Sequence, residues 1–140
     1  MNRLYWTRKY PTINTEQFYF ELPGGFKIVS FKDTTISSKE PSLIDCGVVL
    51  SSKEPITLLL RSVIPTIDFK LLTELIILPP HQPFELNLTA INPCYKIPGD
   101  YTGYDEEWTI KAGTHIANFV ILNTSYTNLF ELSNKEFRKL

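Results

Sequence analysis

Proline most limits the folds open to this chain. Ten prolines and six glycines punctuate its 140 residues, and each proline removes a backbone donor and interrupts a helix interior. Over most of the length there is no 3.6-residue apolar periodicity of the kind an amphipathic helix needs. Between the breaks lie short runs, several of them rich in Ile, Val, Leu, Phe and Thr, residues that suit a pleated surface. These runs predict strands over residues 18–22, 27–31, 42–50, 56–60, 73–78, 84–91, 107–110 and 115–123. Turn signals separate them: Pro23-Gly24-Gly25, Ser-Ser-Lys-Glu-Pro at 37–41 and again at 51–55, Pro79-Pro80, and Pro98-Gly99. The flanks of the two pentapeptides do not match, so they read as two similar turns and not as a repeat. Short strands at regular spacing imply a single all-β domain over residues 1–140, a sandwich or barrel. Only residues 128–140 have helical character, with Ser133 and Glu136 at capping-box spacing.

Charge and composition narrow the function classes. Fourteen basic and fifteen acidic residues leave a net charge of −1, which argues against an electrostatic nucleic-acid binder. No apolar run reaches the roughly 18–20 residues that span a bilayer, and the first residues lack the apolar segment of a secretory signal. The expectation is an intracellular protein, in the cytoplasm or nucleus, without nucleic-acid or membrane partners. Cys46 and Cys94 lack metal-ligand spacing and read as small core residues. With His81 and His115 the only histidines, no zinc site is expected. Neither a nucleophile elbow nor a P-loop is present. No metal and no cofactor is predicted.

Residues 97–108, Ile-Pro-Gly-Asp-Tyr-Thr-Gly-Tyr-Asp-Glu-Glu-Trp, combine acids with three aromatics. Acids keep such a loop solvated while Asp100, Tyr101, Tyr104, Asp105 and Trp108 offer contact area, so it is the candidate partner-binding loop. The alternative is a long turn whose aromatics fold back on the domain.

Gly24-Gly25-Phe26-Lys27-Ile28, Leu60-Arg61-Ser62-Val63 and Ala112-Gly113-Thr114-His115-Ile116-Ala117 follow one another in an order that, over residues 24–122, resembles the dUTPase family. Gly24-Gly25-Phe26-Lys27-Ile28 resembles its first motif, Ala-Gly-Tyr-Asp-Leu. Asp33-Thr34-Thr35-Ile36 and Leu43-Ile44-Asp45-Cys46-Gly47-Val48 are similar to its next two strands. Leu60-Arg61-Ser62-Val63 resembles Pro-Arg-Ser-Ser, and Ile76-Ile77-Leu78 through Asn92 resembles the third motif and its following strand. Residues 112–121, Ala-Gly-Thr-His-Ile-Ala-Asn-Phe-Val-Ile, resemble Gly-Asp-Arg-Ile-Ala-Gln-Leu-Ile, the most specific match. The resemblance implies a dUTPase-like β-clip, a distorted antiparallel barrel of short strands. It also implies three protomers about a three-fold axis that exchange a C-terminal arm; in this chain residues 123–140 are a C-terminal tail beyond the resemblance.

The resemblance breaks where the chemistry sits. The family's water-activating Asp falls on Pro79 and its sugar-stacking aromatic on Gln82; the first-motif Asp is Lys27, and Asp-Arg of the fourth motif is Thr114-His115. The glycine-rich arm has no counterpart in residues 126–140, which contain no glycine. Arg61 and Ser62 match residues that contact phosphate in the family, and form a remnant phosphate-binding pair. No catalytic residue is assigned. The expected role is a non-catalytic dUTPase-derived scaffold, a viral accessory protein that contacts a host or viral protein. Alternatives are a virion-associated structural protein, or a divergent Mg²⁺-dependent nucleotide pyrophosphatase using Asp68 or Asp100 as base.

Overall fold

The computed structural model describes residues 2–10, 21–22, 25–65, 68–93, 107–122 and 127–140. Twelve strands and one short helix occur in it: β1 (Asn2–Arg8), β2 (Glu21–Leu22), β3 (Gly25–Val29), β4 (Thr34–Ser37), β5 (Ser42–Ser52), β6 (Ile56–Ser62), β7 (Lys70–Leu71), β8 (Leu75–Leu78), β9 (Phe84–Ile91), β10 (Glu107–Ile110), β11 (His115–Ile121), β12 (Thr127–Glu131) and α1 (Asn134–Phe137). One five-stranded sheet runs β12-β1-β5-β9-β7, a second runs β2-β3-β11-β6-β8, and β10 pairs with β4. The all-β expectation holds, with the described strands divided among three sheets.

Alternation builds the core. On β6, Ile56, Leu58 and Leu60 are buried while Leu59 and Arg61 are exposed; on β9, Leu86, Leu88 and Ala90 are buried. Period-two burial leaves one face of each sheet apolar, and both apolar faces contribute to one cluster with Ile44, Cys46 and Phe119. Burying each such aliphatic side chain contributes roughly 1.5–3 kcal/mol. Cys46 is a core residue, as expected; Cys94 lies outside the described residues.

The two pentapeptides do form turns, β4 to β5 and β5 to β6, with different hydrogen bonds. In the first, Ser37 Oγ accepts from the Lys39 N–H at 3.1 Å; in the second, the Ser52 hydroxyl donates to Glu54 O. Gly25, at the start of β3, is required by crowding. Its φ is +152°, and a Cβ there would lie 2.8 Å from Phe119 O on the neighbouring strand β11.

Both ends of the chain depart from the sequence reading. Residues 2–8 were not among the predicted strands, yet they pair antiparallel with β5 and bury Leu4 and Trp6. The helical reading of residues 128–140 is corrected: Thr127–Glu131 form β12, which pairs parallel with β1, Leu4 opposite Leu129. The open edge of β1 supplies backbone partners that outweigh the weak helical preference of these residues. Helix starts only at Asn134, and there Ser133 caps it as expected, accepting the Glu136 N–H at 3.2 Å. Thr7 ties this turn to β1 by donating to Asn134 Oδ1 at 2.7 Å.

Candidate functional site

The remnant pair sits at the end of β6. Arg61 is exposed and Ser62 half-buried; Ser62 Oγ accepts the Ile64 N–H at 3.2 Å, turning the chain out of the strand. In the ladder, Arg61 stands opposite Asn118 of β11, and Asn118 opposite Lys27 of β3. Three neighbouring strands thus bring Lys27, Asn118 and Arg61 into one row. Asn118 is oriented from its own strand, its Oδ1 2.6 Å from His115 Nε2, which is also 3.1 Å from Ala117 O; a proton on Nε2 satisfies both.

Arg61, Ser62 and Asn118 line a cavity of about 870 Å³ together with Lys70, Glu74 and the Phe69 ring. Lys70 reaches it because β7 pairs with the end of β9, Lys70 opposite Ile91. Glu74 reaches it because its carbonyl accepts the Leu60 N–H at 2.9 Å. Two cations against one carboxylate suit this cavity to an anionic group. Sequence reasoning named Arg61 and Ser62 by motif, but not Lys70, Glu74 and Asn118, which line the same cavity. Their convergence depends on strand pairing, and the only signal of it is Asn118 inside the most specific matching segment.

The remaining candidates lie elsewhere. Pro79 and Gln82 belong to the 79–83 connection between β8 and β9, Pro-Pro-His-Gln-Pro, which has no carboxylate. Within it His81 has a positive φ of 61°, held by its N–H on Ser52 O at 2.7 Å. Trp108 is on β10, half-buried and edge-on to Phe69 with ring centroids 6.0 Å apart. Asp100, Tyr101, Tyr104 and Asp105 lie outside the described residues. Asp68 is half-buried in the turn before β7. Among the described residues, no three His, Cys, Asp or Glu side chains are grouped to hold a metal ion, and no helix is long and apolar enough to cross a membrane.

A second polar cluster joins the N-terminal segment to β5. Asp45, almost buried, accepts hydrogen bonds from the Gly47 N–H and the Tyr10 hydroxyl, both at 2.8 Å, and faces Lys9 Nζ at 3.4 Å. Burial works against the Asp45 charge, but Gly47, Tyr10 and Lys9 outweigh it and hold the carboxyl below the usual carboxylate range. Lys9 is raised, chiefly by its hydrogen bond to Glu85, and Tyr10 is raised, chiefly by Asp45. Burial, joined by the Asp45 charge, pushes the Cys46 thiol up, so it stays protonated and inert.

By sequence, no family model matches the chain and no curated protein matches it. Solved structures do. A point mutant of the dUTPase from phage phi11 of S. aureus, described with a coordinated structural Mg(II) ion, aligns at a TM-score of 0.64 over 92% of this chain and 95% of that one. The fold is that of the dUTPases. Two mutants of Staphylococcus bacteriophage 80alpha dUTPase with dUpNHpp agree, at TM-scores of 0.63 and 0.58. They cover 92% and 84% of this chain, and 87% and 91% of their own. Identity is only 14–16% across the three. The dUTPase scaffold therefore stands on topology, with few side chains in common.

Proposed function

We propose that this chain is a dUTPase-derived scaffold that does not hydrolyse nucleotide and works as a viral protein-interaction module. The observation that supports this reading is the 79–83 connection. The resemblance assigns the water-activating carboxylate and the sugar-stacking ring to Pro79 and Gln82, and all five side chains of the connection lack an acid. A proline cannot accept a proton, so general-base activation of water has no agent there. The carboxylate lining the Arg61 cavity, at the opposite end of β8 from this connection, is Glu74, set beside Arg61 and Lys70. The structural neighbours lend the regulatory side of this reading a precedent, since phage dUTPases are described as controlling transfer of virulence genes by a G protein-like mechanism. Folds take on new functions by changing loops over a retained core.

The test is turnover of dUTP with magnesium, beside thermal-shift titrations with dUTP, dUMP and a non-hydrolysable analogue. The expected result is no dUMP. Release of dUMP, lost in Glu74→Gln or Asp68→Asn, would overturn the reading and identify the base. Ligand at 100 times its Kd would stabilise the fold by roughly 2.7 kcal/mol. A shift without turnover would mean that the Arg61 cavity still holds an anion on a dead scaffold.

A further inference from the structure

Strand β8 is an edge. Among the described residues it pairs with β6 alone, at the end of the β2-β3-β11-β6-β8 sheet. Its backbone parity follows from one bond. Leu60 N–H donates to Glu74 O, and the pairs Leu58–Ile76 and Ile56–Leu78 continue that ladder two residues at a time. Antiparallel pairs alternate between bonded and non-bonded. Leu59–Leu75 and Thr57–Ile77 are therefore the non-bonded pairs, so Leu75 and Ile77 direct their N–H and C=O groups away from β6.

The same two residues expose their side chains, Leu75 at 52% and Ile77 at 62%. The strand Leu-Ile-Ile-Leu carries none of the charges or internal prolines that usually blunt a sheet edge. On the adjacent strand, Leu59 is 40% exposed and extends the apolar surface. Charge is uneven along this edge. At the Leu75 end lie exposed Arg61 and Lys70 against Glu74, while at the Leu78 end Lys53 and Glu54 of the β5–β6 turn offset each other.

We propose that β8 is a docking edge for an extended segment of a partner protein, with apolar residues at alternate positions and acidic residues beyond the end that passes Leu75. Strand addition supplies main-chain hydrogen bonds at Leu75 and Ile77, and Arg61 and Lys70 select the acidic end and the direction. This deepens the interaction-module reading above and rests on it.

Fluorescence anisotropy on the full chain tests it, with a labelled antiparallel probe, Thr-Val-Thr-Val-Thr-Val-Asp-Asp-Glu, and its Lys-Lys-Lys-tailed counterpart. The acidic probe is expected to bind saturably, about tenfold tighter than the basic one, and Arg61→Glu/Lys70→Glu is expected to reverse the preference. Ile77→Pro removes only an outward N–H and is expected to weaken binding about tenfold while the protein stays folded; Ile77→Lys serves if the proline variant unfolds. Absence of saturable binding, equal binding of both probes, or an unaffected Ile77 variant overturns the proposal. So does self-association, by sedimentation, that Ile77→Pro abolishes, because a second copy then occupies the edge. Turnover of dUTP by the same sample would overturn the non-catalytic reading and leave the edge result standing.

Discussion

The Tyr10 hydroxyl donates a 2.8 Å hydrogen bond to the Asp45 carboxylate, which joins the segment following β1 to the middle of β5. Tyr10 is also stacked on Phe31, with ring centroids 4.2 Å apart, so one side chain links three parts of the fold. The contact lies where the β5–β9 register shifts, between Asp45 and Val49, and where Gly47 takes a φ of 74°. A carboxylate there satisfies the Gly47 N–H that the irregular backbone would otherwise leave open.

Acidification is expected to release this link. Asp45 has a folded pKa below its unfolded one, so its contribution is present above the unfolded value of about 3.9 and is lost as pH falls through the folded value. Lys9 and Tyr10, both raised, lose theirs only at strongly alkaline pH. Denaturant melts from pH 7 to pH 2 should show a steep acid limb that flattens in Asp45→Asn. That variant is expected to cost about 1–3 kcal/mol at neutral pH. An unchanged acid limb would mean that other carboxylates control acid unfolding.

Gly25→Ala is expected to destabilise by about 1–3 kcal/mol, because a Cβ would meet the Phe119 carbonyl at a φ that side chains rarely adopt. The same change at Gly113, exposed at a φ of 82°, meets chiefly the cost of its backbone conformation, so it should cost less. Thermal melts of the two variants compare crowding with backbone conformation directly.

Leu58→Ala should be the costliest of these changes, about 2–5 kcal/mol, since Leu58 is fully buried in the common core. Exposed Leu59, one residue on, should tolerate Ala with about 0.5 kcal/mol or less of change. Equal losses at both positions by chemical denaturation would contradict the burial alternation of β6.

Ser133→Ala removes the cap of α1 and should cost about 0.5–1 kcal/mol, read as faster amide exchange at Glu136. The effect is expected to stay local, because β12 remains held to β1, with Leu132 N–H donating to Trp6 O at 2.8 Å.

How much of this was legible in the sequence depended on whether the deciding interaction was local. Strands β9 and β10 were read to the residue, because alternation in Phe84–Ile91 and the run Glu107–Ile110 carry their own signal. The Ser133 cap was legible for the same reason, as was the stop at Pro79-Pro80. Arg61 and Ser62 were named from motif order, which needs no knowledge of pairing, and the ladder adds only that they stand at the end of β6 beside Asn118.

Other features required partners remote in the chain. Thr127–Glu131 is a strand because β1, at the opposite end of the sequence, offers an open edge in register. Lys70, Glu74 and Asn118 meet Arg61 because β7, β8 and β11 each arrive through different ladders. The outward backbone of Leu75 and Ile77 depends on hydrogen-bond parity set by Leu60 and Glu74. Side-chain type specifies where a strand can form; only the tertiary pairing decides which strand lies beside it, and so which groups share a surface.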